Sequence, residues 1–172
     1  VAEVAAAGCH NFIVHARKAW LSGLSPKQNR DIPPLNYARV YRLKEVFPHL
    51  EIVLNGGIGD QRAVLEQLER VDGVMIGRQA FADPYCLARW ESALWGGEPP
   101  GRRAAVEAFL PYVEAQRRAG VPLSQLVKVL MGLYRDCKGA RQWRRRLTEG
   151  SQQPNAGPEV IAAALQLVEP EV

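Results

Sequence analysis

The sequence predicts an α/β protein in which a few parallel strands are followed by a small all-helical bundle. Short apolar runs rich in β-branched residues alternate with stretches of helical periodicity, a pattern typical of parallel strands joined by crossover helices. A segment rich in glycine and proline, residues 96–101, ends this alternation. Beyond it, apolar residues recur only at helical spacing, so we expect no further strand there.

Length and composition describe an ordinary globular protein. The chain has 172 residues, of which 47% are hydrophobic and 23% are charged, enough for one core and a small second unit. Because it contains neither a run of about 20 apolar residues nor a signal peptide, we expect a cytoplasmic protein. Cys9, Cys86 and Cys137 are far apart and form no CxxC pair, so the sequence predicts buried thiols and no metal site.

The first strand leads into a long loop rich in cations. Residues 1–8 read as the end of a helix, and the strand Phe12-Ile13-Val14 then ends at His15. The loop of residues 16–34 is longer than most structureless loops, which indicates a function. We expect its apolar side chains to keep it ordered. Its cations favour a phosphate-rich polymer, although a solvated surface loop remains an equal alternative; the apolar and basic residues concerned are Arg17, Lys18, Trp20, Leu21, Leu24, Lys27 and Arg30.

Residues 52–78 form the organising stretch of the chain. A strand at residues 52–54 is followed by the turn Asn55-Gly56-Gly57-Ile58, and a strand at residues 72–76 is followed by Gly77-Arg78. Asp60 is placed to cap the intervening helix, as Asn36 is for the helix before residue 52. Because parallel strands end at the same edge of a sheet, the two glycine turns predict a phosphate site with Arg78 as its cation. The alternative is that both are only turns.

The C-terminal part is predicted to be helical throughout. We expect helices at residues 84–94, 102–118, 123–137, 140–147 and 158–168, with Pro111 kinking or splitting the second of these. The resulting organisation is a part with parallel strands at residues 1–95, a linker at 96–101 and a helical domain at 102–172.

Positive charge is concentrated in the C-terminal part. Residues 128–146 contain seven cations and one acid, a local balance of +6 in a chain whose total is +4. Arg141, Arg144 and Arg145 share one helical face, while Trp143 is expected in the core. Such a patch is typical of a surface that binds a phosphate backbone, with a merely solvated basic face as the alternative.

Several motifs, in this order along the chain, resemble those of A-type bacterial tRNA-dihydrouridine synthases. The first block is specific to that family, whereas the glycine motifs occur in many FMN-binding barrels. The blocks are His15-Ala16-Arg17-Lys18-Ala19-Trp20-Leu21-Ser22-Gly23-Leu24-Ser25-Pro26-Lys27, Asn29-Arg30, Pro33-Pro34-Leu35, Asn55-Gly56-Gly57-Ile58, Asp72-Gly73-Val74-Met75-Ile76-Gly77-Arg78 and Gly139-Ala140-Arg141-Gln142-Trp143-Arg144-Arg145.

The resemblance implies the C-terminal portion of a TIM (β/α)8 barrel, its last three strands, followed by a helical tRNA-binding bundle. It implies reduction of uridines 20 and 20a in the tRNA D loop by FMN, with NADPH as reductant. By the same resemblance, the residues that contact FMN or hold its phosphate are His15, Asn55, Gly56, Gly57, Gly77 and Arg78. Those that contact the D loop or elbow of tRNA are Arg17, Lys18, Lys27, Arg30, Arg141, Arg144 and Arg145.

The resemblance also implies a departure from the family. The family's catalytic cysteine and a flavin-contacting lysine lie in an N-terminal half that this chain does not match, and none of its three cysteines takes that role. We therefore expect no catalytic residue in this chain, no activity and poor solubility for it alone, and a monomer at full length. Two other functions remain open: another FMN- or phosphate-binding barrel oxidoreductase acting on a small molecule, and a non-catalytic RNA-binding protein.

Overall fold

A computed structural model describes residues 1–168. The chain divides into two compact units, Val1–Gly77 and Arg78–Val172. This division lies before the glycine- and proline-rich segment at which the sequence predicts a linker. Within the described residues no helix is both long and apolar enough to span a bilayer.

The first unit contains a parallel three-stranded sheet, as predicted. Its strands are β1 (Asn11–His15), β2 (Glu51–Asn55) and β3 (Gly73–Met75), in the spatial order β1-β2-β3. β2 pairs with both neighbours, and its Ile52 and Leu54 side chains are completely buried. Because β1 and β2 are in register from Asn11↔Glu51 to His15↔Asn55, their carboxyl ends lie side by side.

Helices connect successive strands. Besides the short helices α1 (Ala2–Ala6) and α2 (Pro26–Asn29), this unit contains α3 (Tyr37–Val46) and α4 (Gln61–Leu68). The Asn36 side chain accepts a hydrogen bond from the N–H of Arg39 at 3.0 Å, and the Asp60 side chain accepts one from Ala63 at 2.8 Å. Both predicted N-caps are thus confirmed, and each satisfies a backbone donor in the first turn of its helix.

A partly exposed ion pair connects the amino ends of the strands. Lys44 of α3 donates to the carbonyls of Pro48 and Leu50 and pairs with the Asp72 carboxylate at 2.8 Å. The other Asp72 oxygen accepts from the N–H of Ile52 at 2.8 Å. Burial raises the pKa of Asp72, but these hydrogen bonds and the Lys44 charge outweigh it and leave the pKa below its usual value.

The second unit is helical in its described part. Its α-helices are α5 (Arg78–Ala82), α6 (Tyr85–Trp95), α7 (Arg102–Arg118), α8 (Leu123–Leu126), α9 (Ala140–Gly150) and α10 (Pro158–Leu165). They enclose an apolar core in which Trp143, Leu147 and Ile161 are completely buried. The Trp143 indole donates to the Leu130 carbonyl at 2.9 Å, which satisfies its N–H inside that core.

One helix prediction in this unit is wrong, and for another the split expected as one alternative at Pro111 does not occur. The expected helix at residues 123–137 is a turn of α-helix, α8, followed by a 3₁₀ turn (Val127–Leu130) and further turns. Asp136 has φ +62°, which a right-handed helix cannot accommodate, and a Cβ at Gly132 would collide with the Ala82 carbonyl. Conversely, α7 continues through Pro111 as one helix, packing Val106 and Val113 in the core.

Candidate functional site

Two polar side chains meet where the adjacent strands β1 and β2 end. His15 Nδ1 lies 2.7 Å from Asn55 Oδ1, and the register places these residues directly opposite each other. Since an amide oxygen only accepts, Nδ1 donates this hydrogen bond, and in the tautomer that this requires Nε2 can accept one. Within residues 1–168, His15 Nε2 and the Asn55 amide nitrogen form no further hydrogen bond. The sheet edge thus offers one acceptor and one donor to a ligand.

The turn after β2 requires glycine because of its conformation and its neighbours. Gly56 and Gly57 have φ +124° and +72°, values that disfavour side chains. A Cβ at Gly57 would also lie 2.5 Å from Leu35 Cδ1 and 2.9 Å from the Tyr37 hydroxyl. The contacts of Leu35 and Tyr37 with this turn were not predicted from the sequence. The available signal was that Tyr37 is an aromatic residue directly after the Asn36 cap.

Tyr37 holds the glycine turn from the side of helix α3. Its hydroxyl donates to the Gly56 carbonyl at 2.8 Å. Burial, with Tyr41 nearby, raises the pKa of the Tyr37 hydroxyl, so it stays a protonated donor. Gly57 remains exposed despite these contacts, which leaves backbone available to a ligand.

Gly77 and Arg78 lie at the boundary between the two units. Gly77 ends the first unit, and Arg78 is the first residue of α5 in the second. A Cβ at Gly77 would meet nothing within 4 Å in the described part of the chain, unlike one at Gly57. Packing therefore does not explain a glycine at position 77, and the phosphate role of this pair stays a prediction.

The base of the loop between β1 and α3 is closed by Arg17. Arg17 pairs with Leu35 in an antiparallel bridge, and its guanidinium donates to the carbonyls of Asp31, at 3.3 Å, and Pro33. Its Nε is buried without a hydrogen-bond partner in the described residues. The donors of Arg17 therefore point at the protein's own backbone, whereas those of Lys18 lie on the exposed surface.

The tip of the loop is ordered by hydrogen bonds rather than by apolar packing. Ser25 and Gln28 form a reciprocal capping box around the short helix α2, which carries the exposed Lys27. Arg30, which follows α2, is also exposed. Trp20 and Leu21 are 43% and 100% exposed, so the prediction that they order the loop by burial is wrong.

Helix α9 presents a basic face. Arg141, Arg144 and Arg145 are exposed on one side, and Trp143 is buried on the other, as predicted. Arg145 pairs with Glu149 at 2.8 Å, whereas Arg141 and Arg144 form no ion pair within residues 1–168. Two of the three arginines can therefore meet an anion without first breaking an internal pair.

Other features of the described residues add no reactive group. The three cysteines are free, but only Cys86 is buried, so the prediction of buried thiols is wrong for Cys9 and Cys137. Burial raises the pKa of the Cys86 thiol, which keeps it a weak nucleophile. No cluster of metal ligands occurs among residues 1–168. A cleft of about 660 Å³ lies between the end of β1 and helix α3, but Asn55, Gly56 and Gly57 do not line it. His15 lines the cleft and also pairs with Asn55, so the cleft adjoins the glycine turn at His15.

Comparison with known proteins identifies the family. The dihydrouridine synthase (Dus) family model matches residues 1–169. Relatives named tRNA-dihydrouridine(20/20a) synthase are 49% identical over 170 residues in Pasteurella multocida, 47% over 167 in Vibrio vulnificus and 51% over 160 in Haemophilus ducreyi. These alignments cover 98%, 96% and 92% of this chain but 52%, 51% and 50% of the relatives, so the chain spans about half the length of the curated relatives it matches. On this match over nearly its whole length, the chain belongs to the dihydrouridine synthase family.

Proposed function

We propose that this protein acts in the reduction of uridines 20 and 20a in the D loop of tRNA to 5,6-dihydrouridine, in the cytoplasm where tRNA resides. Family membership and the name shared by the relatives support both the reaction and the substrate. In the structure, the proposal is carried by the hydrogen-bonded pair of His15 and Asn55 beside the Gly56-Gly57 turn.

The proposed architecture extends what the sheet shows. We place residues 1–95 in a TIM (β/α)8 barrel as its last three strands, joined by 96–101 to a helical tRNA-binding bundle at 102–172. Three parallel strands with helical crossovers support the barrel part, because the family is one of TIM-barrel enzymes. The apolar core formed by the helices after residue 101 supports the bundle.

The residues at the sheet edge fit FMN. His15 Nε2 and the Asn55 amide offer an acceptor and a donor, and Gly57 exposes backbone in a left-handed conformation. On the sequence resemblance alone, we propose that Gly77 and Arg78 hold the phosphate. When bound, FMN supplies the hydride for the uracil ring, and NADPH is its reductant. The protein's part is to orient the flavin through His15 and Asn55. Cys9, Cys86 and Cys137 are not proposed as proton donors.

The proposed tRNA contacts fall into two groups. Arg141 and Arg144 on α9 form no ion pair with residues 1–168, and Arg145 contributes less because it is shared with Glu149. On the loop after β1, Lys18, Lys27 and Arg30 provide exposed cations. Arg17 supports this surface by closing the base of the loop. We also propose that the protein acts as a monomer.

Flavin release and tRNA binding test the two halves of the proposal separately. Denaturing the purified protein should release FMN, detected by its absorbance and fluorescence. Arg78→Ala should reduce the flavin released and leave tRNA binding unchanged. Arg141→Ala combined with Arg144→Ala should weaken tRNA binding and leave the flavin in place.

Arg118→Ala on α7 is the matched control, since Arg118 is exposed but paired with Glu114 at 2.9 Å. It should change neither property. If no flavin is released while tRNA still binds with strong salt dependence, a non-catalytic RNA-binding function replaces the proposal. Flavin without tRNA binding would indicate an oxidoreductase acting on a small molecule.

A further inference from the structure

The loop after β1 holds an exposed indole on a fixed backbone. The Asn29 side-chain amide accepts from the N–H of Trp20 at 2.8 Å and donates to its carbonyl at 2.9 Å. Both backbone groups of Trp20 are therefore tied to one side chain nine residues away. The Trp20 side chain nevertheless remains 43% exposed.

The loop does not need an exposed Trp20 side chain in order to fold. Three sets of polar contacts order it: the Arg17 bonds to backbone carbonyls, the Ser25–Gln28 capping box and the Asn29 amide. Covering an exposed aromatic surface gains about 25 cal/mol per Å², so a partly exposed indole on a fixed backbone is available for contact with a ligand.

The surroundings of Trp20 indicate the chemistry of that ligand. Lys18, Lys27 and Arg30 are exposed on the same loop, and Asp31 is the one acid between residues 17 and 32. Cations combined with an exposed aromatic ring are typical of surfaces that bind single-stranded nucleic acid, since cations meet phosphates and the ring meets base faces.

We propose that Trp20 is a stacking platform for an unpaired nucleobase of the bound RNA, and that Asn29 is a positioning residue that fixes the platform. This inference rests on the proposed tRNA function and adds to it a contact with a base, beyond contacts with phosphates. The amide of Asn29 fixes the direction of the Trp20 Cα–Cβ bond, which restricts the positions that the indole can take before RNA arrives.

Two probes separate stacking from charge attraction: an unmodified tRNA transcript and inorganic polyphosphate, a polyanion without bases. Trp20→Ala should weaken tRNA binding roughly 5- to 100-fold and leave polyphosphate binding unchanged. Trp20→Phe should retain most of the tRNA affinity because it keeps a π face. Leu21→Ala is the matched control, since Leu21 is fully exposed beside Trp20 but cannot stack, and it should bind tRNA as the unaltered protein does.

A double-mutant cycle tests Asn29. Asn29→Ala should weaken tRNA binding in the unaltered protein but cause no further loss in the Trp20→Ala background, because it acts through the indole. Equal losses in both backgrounds would mean that Asn29 only supports the loop.

Failure of the proposed function and failure of the stacking inference give different experimental results. If the unaltered protein binds no tRNA, the proposed function itself fails. If it binds tRNA with salt-dependent affinity and Trp20→Ala binds equally well, only the stacking inference is overturned. Loss of polyphosphate and tRNA binding together in Trp20→Ala would also overturn it, as would conversion of a dimer to a monomer with RNA affinity unchanged, which would identify a self-association surface.

Discussion

Two tryptophans in this protein lie in similar sequence contexts and have opposite environments. Trp20 follows Arg17 and Lys18, and Trp143 lies between Arg141 and Arg144. Trp143 is completely buried and bonded through its indole N–H, whereas Trp20 is exposed and held through its backbone. A cation-rich neighbourhood therefore does not decide whether an aromatic residue builds the core or faces a ligand.

The same contrast separates the two basic surfaces. The cations of α9 lie on a helix whose opposite face is anchored in an apolar core. Those of the loop at residues 16–35 lie on backbone ordered by individual side-chain hydrogen bonds. We expect the basic face of α9 to lose its structure only when the whole unit unfolds. The loop after β1 should lose its structure locally, as individual hydrogen bonds break.

The largest expected effect is a loss of stability on replacing Trp143, with Trp20 as the comparison. Trp143→Ala should lower the free energy of unfolding by about 3–5 kcal/mol, because it leaves a large cavity and an orphaned Leu130 carbonyl. Trp20→Ala should change it by less than about 0.5 kcal/mol. Urea denaturation followed by circular dichroism measures both free energies. Similar losses in the two variants would show that Trp20 and Trp143 contribute equally to stability, contrary to the prediction.

Next in size is the loss of the Arg17 anchor. Arg17→Ala should cost about 1–3 kcal/mol of local stability, since the carbonyls of Asp31 and Pro33 lose their donor. We expect faster proteolysis and faster amide exchange within residues 18–33, with the global unfolding midpoint almost unchanged. Arg17→Lys is the control for charge: it keeps the positive charge on a shorter side chain without the planar guanidinium, so a similar local loss would assign the effect to the hydrogen bonds. A large drop in the global midpoint would instead make Arg17 part of the sheet's core.

The basic face of α9 should affect RNA binding without affecting stability. Arg141→Ala with Arg144→Ala should reduce the salt slope of log K for tRNA by about 1.4 to 1.8, which corresponds to two phosphate contacts. Its stability should stay within about 0.5 kcal/mol of the unaltered protein. Titrations at several salt concentrations check the slope. Arg145→Ala alone should change it least, since that guanidinium is paired with Glu149.

The smallest effect should appear at low pH and only in the sheet unit. The pKa of Asp72 is lowered in the folded state, so the protein binds its proton less readily than the unfolded chain does. The stability it contributes is therefore present above the unfolded pKa, about 3.9, and is lost as pH falls through the lower folded value. Unfolding of the unaltered protein should weaken over that range, and Asp72→Asn should remove this part of the dependence. An identical pH profile for the variant would exclude the Lys44–Asp72 pair as its source.

Much of the candidate site could be predicted from the sequence because its signals are local. A cap residue satisfies donors two or three positions ahead in the chain. Adjacent glycines such as Gly56 and Gly57 predict a turn with positive φ values, because those values disfavour side chains. The basic face of α9 follows from a period of 3.6 residues. The prediction of one helix at residues 123–137 is wrong because apolar periodicity indicates which side chains are buried. A series of short turns can bury the same side chains.

By itself, the sequence determined the parallel strands, the caps, the glycine turn and the arginines that share a helical face, since each depends on residues a few positions apart. Only the tertiary structure decided how individual groups are used. It directed Arg17 to carbonyls some 15 positions away, laid Tyr37 over Gly56 and left Trp20 exposed. The physical reason is that a long side chain bonds whichever backbone carbonyls the fold leaves unsatisfied, and these are defined only once distant segments have packed together.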